Sequence, residues 1–338
     1  MIPCPMDSAA LSHKQLAGQR LLVGFEGTEL NSDLRFLIDS IKIGGLILFA
    51  QNLINPEQIK NLCRSVQEYA VSRGNPPLFI AVDQEGGTVA RLKEPFTQFA
   101  GNPHMQNRKE AMRFADITAR ELAAVGINMN MAPALDTSPL NIAGIMAARS
   151  FGHDPGWVSK MGLTVIEHLQ QKSIMAVAKH FPGIGRTTLD SHMEMPSLDI
   201  DLSAMASYDL LPFRDAINHK VAAIMLSHIL YTKIDPDWPA SLSLRIARDL
   251  LRDQMAFQGV VLTDDLDMGA INNHYKIKTV IQQILSAGID IALICHKGPN
   301  IEQAFEEILA SISVDRELRS EGRVSVTRIL KLKQKYIK

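Results

Sequence analysis

Residues 179–196 read KHFPGIGRTTLDSHMEMP, and they place a carboxylate and an imidazole, Asp190 and His192, two positions apart. In extended chain, residues i and i+2 project to the same side. Asp190 can therefore fix the tautomer of His192 and raise its basicity. That is the orienter-and-base half of a catalytic triad, here without a convincing serine nucleophile, since Ser191 points the other way. Two other readings stay open, a metal pair and a polar structural loop. The first lacks a His-x-x-His or similar spacing. The second suits a loop richer in Lys, Glu and Ser than this one.

Other segments add groups of the same kind. LTDDLDMGA (262–270) follows an apolar run and presents Asp264, Asp265 and Asp267. By alternation Asp264 points into the space beyond the strand end and Asp265 roughly away from it. Asp264 could act as nucleophile, general base or metal ligand, whereas Asp267 is expected to N-cap the next helix. AVDQEGGTVARL (81–92) sets Asp83 and Glu85 before a Gly-Gly turn and Arg91, which suits either the close approach of a hydroxylated ligand or a salt-bridged turn. In AARSFGHDP (147–155), the planar guanidinium of Arg149 is a good partner for a carboxylate or vicinal oxygens. Lys179 and His180 end an apolar run beside a turn, while His228 in MLSHIL reads as a satisfied core histidine. Neither G-x-G-x-x-G nor G-x-x-x-x-G-K-[ST] occurs, so no phosphate loop is expected.

What positions these groups is a series of short apolar runs at 21–27, 44–50, 78–87, 127–136, 174–183, 222–230, 259–265 and 290–296. Most are continuous rather than alternating, the mark of strands covered on both faces in a parallel sheet. Between them lie helical segments. Residues 55–74 start with Asn55 as N-cap and Pro56 at the first helical position, and end at Gly74. Residues 108–126 end likewise at Gly126, residues 154–173 begin with Asp-Pro, and Pro212 should kink or split a helix over 203–220. This alternation predicts a TIM-type (β/α)8 barrel occupying the chain as one domain, with its core over 15–310 and a C-terminal helix at 315–337. An open doubly wound sheet is the alternative. The barrel is favoured because Asp83 to Glu85, Asp136, Lys179 and His180, Ser227 and His228, and Asp264 and Asp265 all fall at strand C-termini. In a barrel those ends converge on one face.

Composition narrows the function classes. The 338 residues are 46% hydrophobic with a formal net charge of −1, which leaves no basic footprint for nucleic acid or an anionic membrane. Cys4, Cys63 and Cys295 are odd in number and far apart, forming neither a disulfide framework nor a zinc cluster. No run approaches the ~18 apolar residues of a membrane span, and the first twenty residues lack a charged region followed by an apolar one. A cytoplasmic, monomeric protein without metal or other cofactor is expected.

Asp83-Gln84-Glu85-Gly86-Gly87 with Arg91, Arg149-Ser150-Phe151-Gly152, Lys179-His180-Phe181-Pro182-Gly183, Asp190-Ser191-His192 and Thr263-Asp264-Asp265-Leu266 occur in this order. Together they resemble glycoside hydrolase family 3, and within it the single-domain β-N-acetylglucosaminidases (β-hexosaminidases) of bacterial cell-wall recycling. The resemblance spans roughly residues 15 to 310. It implies Asp264 as the nucleophile of a retaining enzyme and His192 as general acid/base oriented by Asp190. It implies further that Asp83, Arg91, Arg149, Lys179 and His180 hold N-acetylglucosamine. A β-glucosidase, a phosphorylase, a catalytically weak sugar-binding protein and a metal-dependent hydrolase are the alternatives. Two departures stand out: Ile184 replaces the usual His or Asp, removing a polar contact near the loop, and NIAGIMAARSFG is more apolar than the family pattern. The loop at 183–193 is expected to be mobile and to close over bound sugar.

Overall fold

All eight apolar runs become short parallel strands in the computed structural model, which describes residues 7–142 and 144–337. Cys4 and Ala143 lie outside the described residues. The strands are β1 (Leu21–Val23), β2 (Gly45–Leu48), β3 (Phe79–Val82), β4 (Met129–Asn130), β5 (Met175–Phe181), β6 (Ala223–Leu226), β7 (Val260–Asp265) and β8 (Ile291–Ile294). Each pairs with its chain neighbour, and β8 closes on β1 through Leu21↔Ala292, Leu22↔Leu293 and Val23↔Ile294. Helical segments follow every strand, so the architecture is a TIM-type (β/α)8 barrel and not the open sheet.

The continuous apolar strands are explained by two apolar environments. Leu22, Phe79, Met129, Met175, Val177, Leu262 and Leu293 fill the barrel interior. Their neighbours Leu21, Val23, Ile80, Ala176, Ala178, Val261 and Ile294 pack outward against the helices. Ile329 and Tyr336 of the C-terminal helix Arg316–Tyr336 join the interior cluster and seal one end. At that end Lys333 donates to Gln19 Oε1 (2.6 Å) and to the Gly44 carbonyl (2.7 Å), which satisfies a fully buried ammonium. The opposite end, beyond the strand C-termini, is left for polar groups.

Local signals place the helices well. Asn55 accepts from the Gln58 N–H at 2.9 Å and caps the helix Pro56–Ser72. Asn107 and Asp154 cap Arg108–Ala124 and Pro155–Gln171 in the same way. The segment around Pro212 splits, as expected, into Leu202–Ala206 and Leu211–Asn218. Strands are shorter than the apolar runs. The fourth run keeps only Met129–Asn130 and an isolated bridge from Ala134 to Lys179, because Pro133 between them has no N–H to give the ladder. Among the described residues no helix is long and apolar enough to cross a membrane.

Candidate active site

The C-terminal ends of β3 and β5 meet in a buried ion network. Lys179 reaches Asp83 Oδ1 and Glu85 Oε1, both at 2.7 Å. Arg149 grips Glu85 with two bonds, Nη2 to Oε1 at 2.7 Å and Nε to Oε2 at 3.1 Å. Arg91 stands 3.6 Å from Asp83 and lies over the Phe49 ring. Glu85 is carried on a hairpin, Gln84–Gly86 against Val89–Ala90, whose turn glycines Gly86 and Gly87 have φ of 86° and 60°. Burial pushes the Glu85 carboxyl up, but Lys179 and Arg149 outweigh it and bring it down to about 2. Burial depresses the Lys179 ammonium, and Asp83 with Glu85 more than restore it. Glu85 and Lys179 are therefore each held in the charged form by the other. Buried Arg91 Nε and Thr137 Oγ1 have no partner among the described residues.

Lys179 and His180 are adjacent yet both face this end, because the β5–β6 register is irregular between Ala178 and Phe181. His180 Nδ1 lies 2.8 Å from Asp136 Oδ2, and Arg149 Nη2 lies 3.4 Å from His180 Nε2. A guanidinium can only donate, so the neutral imidazole that fits carries its proton on Nδ1. Fully buried Asp136 also accepts the His180 N–H (3.1 Å) and the Ile184 N–H (2.8 Å). One carboxylate thus fixes a ring and the first turn of the loop that follows it. Ile184 itself is buried in the core. Its side chain adds no polar group to the loop entry, and only its main-chain N–H reaches Asp136.

Asp264, at the end of β7, accepts the N–H of Asp265 at 2.9 Å and forms no ion pair among the described residues. Burial pushes its carboxyl up, but the imidazoles of His180 and His228, the Asp265 N–H and Lys179 hold it below the ordinary carboxylate range. Asp265 turns to the β8 backbone, accepting the Cys295 N–H at 2.9 Å, and burial raises its carboxyl to about 6. The expected Asp267 cap is not formed: the helix Gly269–Asn272 starts after Met268 with no side-chain cap. Asp267 instead accepts the His296 N–H at 3.0 Å and the Asn300 amide at 2.8 Å, so both oxygens are engaged across the β7 and β8 ends. Asp265, Asp267 and His296 bring one potential ligand atom each within 4.8 Å of one another. His228 is the satisfied core histidine expected, with Nδ1 2.7 Å from Ser241 Oγ and Nε2 2.8 Å from the Asp265 carbonyl. Burial lowers its pKa, against the charge of Asp264 and the Asp265 carbonyl, which raise it.

Asp190 and His192 do touch. His192 Nδ1 stands 2.7 Å from Asp190 Oδ1, which also accepts the His192 N–H at 2.9 Å. Burial pushes the Asp190 carboxyl up, but these bonds together with the charges of His192 and Arg149 outweigh it and leave it below its ordinary value. The side chains are 69% and 54% exposed, so His192 Nε2 is free to meet an incoming group. The loop lies against the segment after β7: the N–H groups of Gly269 and Ala270 donate to the carbonyls of His192 (3.0 Å) and Ser191 (3.1 Å). All eight residues expected at the site, Asp83, Arg91, Arg149, Lys179, His180, Asp190, His192 and Asp264, converge on the strand C-terminal end. Glu85 and Asp136 are the additions. Both stand at strand ends, and Glu85 also lies in the motif before the Gly-Gly turn, whereas strand-end position is the sequence signal for Asp136. An ionised carboxylate and a carboxylate-held imidazole at the same end of the barrel, with fixed donors and acceptors there, are groups that can attack a carbon centre and move a proton at a leaving oxygen.

Comparisons with known proteins bear on the family and the fold. The model of the Glycosyl hydrolase family 3 N terminal domain matches residues 13–332. Beta-hexosaminidase A of Pseudoalteromonas piscicida is 33% identical over 96% of this chain and 61% of its own length. A Beta-hexosaminidase of Nitrosomonas eutropha is 33% identical over 86% of this chain and 84% of its own. Among solved structures, a glycoside hydrolase family 3 beta-N-acetylglucosaminidase from Paenibacillus sp. superposes with a TM-score of 0.91 and 35% identity. That match covers 97% of this chain and 63% of that one. Beta-N-acetylhexosaminidase from Beutenbergia cavernae gives 0.89 and 26% identity, covering 96% and 99%. The chain thus spans only about three-fifths of the length of the Pseudoalteromonas and Paenibacillus proteins.

Proposed function

This chain belongs to glycosyl hydrolase family 3, and from that membership we propose that it is a retaining exo-β-N-acetylglucosaminidase acting on muropeptide- or chitin-derived glycans. One observation carries the reading. Asp264 is an ionised carboxylate without an ion pair among the described residues, and the loop bearing the Asp190–His192 pair is bonded to the segment just after it.

In the first step an Asp264 oxygen attacks the anomeric carbon while the bond to the aglycone oxygen breaks. His192, protonated, gives its Nε2 proton to that oxygen, and Asp190 holds the ring through Nδ1. In the second step neutral His192 takes a proton from water, the water oxygen bonds to the anomeric carbon, and Asp264 leaves as carboxylate. Two displacements on one carbon return the β-configuration. Asp83, Arg91, Arg149, Lys179 and His180 hold the hydroxyl and acetamido groups, with Glu85 and Asp136 fixing those holders in place.

The test is hydrolysis of an aryl β-N-acetylglucosaminide by wild type, Asp264→Ala and His192→Ala. Wild-type rates in both variants would end the proposal. An imidazole in place of a second carboxylate also repels an anionic acceptor less. Phosphorolysis is therefore a second reading, tested by assaying for sugar 1-phosphate when phosphate is added.

A further inference from the structure

Gly269 opens a short helix, Gly269–Asn272, in which alanine would be the better helix former. Its backbone has no positive φ that would demand glycine. The reason for glycine is contact: a Cβ there would lie 2.4 Å from the Met193 carbonyl oxygen and 2.8 Å from that of His192. The first N–H groups of a helix have no partner within it. Here Gly269 and Ala270 spend theirs on the carbonyls of His192 and Ser191. Asn273 Nδ2 adds a bond to the Met193 carbonyl at 3.1 Å, and His274 Nε2 meets Glu194 Oε1 at 2.5 Å.

We propose that Gly269, Asn273 and His274 are positioning residues that seat the Asp190–His192 loop against the segment carrying Asp264. None of the three touches the reacting atoms. Their effect is to set the place of His192 relative to the nucleophile, so the inference rests on the acid/base reading of His192. Without the seat, an exposed loop presents its imidazole in many places, and proton transfer at the leaving oxygen falls off.

The experiment measures kcat/KM on N-acetylglucosaminides graded from dinitrophenyl to alkyl leaving groups, for wild type, Gly269→Ala, Asn273→Ala, His274→Ala and His274→Gln. Good leaving groups need little protonation and poor ones need it fully. Gly269→Ala is expected to stay within about threefold on the dinitrophenyl substrate and to fall by about 10²-fold on the alkyl one. Asn273→Ala and His274→Ala should shift the same way by smaller factors, with His274→Gln, still a donor to Glu194, restoring much of the loss. An equal loss on every substrate, or an unchanged leaving-group dependence, would overturn the seat. A second readout does not need activity. Hydrogen exchange at residue 269 and Ala270 should speed up at least about tenfold in Gly269→Ala, and unchanged exchange refutes the contact. A wild type that cleaves no N-acetylglucosaminide counts against the function, whereas an active wild type with indifferent variants counts against the seat alone.

Discussion

The N–H of Gly269 donates to the carbonyl of His192 at 3.0 Å, which joins the loop holding the imidazole to the segment that leaves β7 at Asp264 and Asp265. Residues 72 positions apart in sequence (264 minus 192) are brought to one end of the barrel by this contact. The chemistry assigned to the pair depends on it.

If His192 donates the proton, His192→Ala should lose about 10²–10⁴-fold on substrates with poor leaving groups and far less on activated aryl glycosides. Asp190→Ala should fall between wild type and His192→Ala, since the ring remains but its orientation is lost. Steady-state kinetics over a leaving-group series measures both.

Lys179 lies between two carboxylates, 2.7 Å from Asp83 and 2.7 Å from Glu85, and is 3% exposed. Lys179→Met should destabilise the fold by about 3–5 kcal/mol, because removing one member of a buried ion network leaves the others uncompensated. Urea denaturation reads this directly. A loss below about 1 kcal/mol would mean that Arg149 alone neutralises Glu85.

Asp136 accepts three donors, the His180 N–H and Nδ1–H and the Ile184 N–H. An asparagine offers a single acceptor oxygen and turns an amide NH2 toward donors. Asp136→Asn is expected to cost about 1–3 kcal/mol of stability for the stranded groups, together with faster exchange of the Ile184 amide. Unchanged exchange would show that the loop entry is held by other contacts.

Two carboxyls give opposite pH signatures. Glu85 is held down to about 2, so its stabilising effect is present above the ordinary carboxyl range and is lost as pH falls toward 2. Asp265 is raised to about 6, so the folded state binds its proton more tightly than the unfolded chain does, and stability declines as pH rises from about 4 to 6. Asp265→Asn should flatten that decline, and Glu85→Gln should reduce the loss in acid. Denaturant midpoints across pH 2–7 separate the two.

Local relationships were legible in the sequence and distant ones were not. The Asn55 cap, the Pro212 break and the Asp190–His192 contact each follow from residues within a few positions of one another. Strand-end placement was enough to gather Asp83, Lys179, His180 and Asp264 on one face. Asp267 was misjudged as a cap because its oxygens go to His296 and Asn300, about 30 residues away on the next βα unit. Ile184 shows in the sequence as an apolar side chain at a loop entry, while the bond of its N–H to Asp136 is long-range and leaves no local sign. Asp136 gives no local hint of its three donors, all from residues more than 40 positions on.

The central claim is that Asp264 forms the bond to the sugar. The most direct measurement is the mass of His192→Ala protein quenched during turnover of an activated aryl β-N-acetylglucosaminide, when the second step is starved of its base. The account predicts a covalent adduct of one N-acetylglucosaminyl unit on the peptide containing Asp264, absent in His192→Ala combined with Asp264→Ala. An adduct on another residue, or wild-type release of the α-anomer as first product, would contradict it.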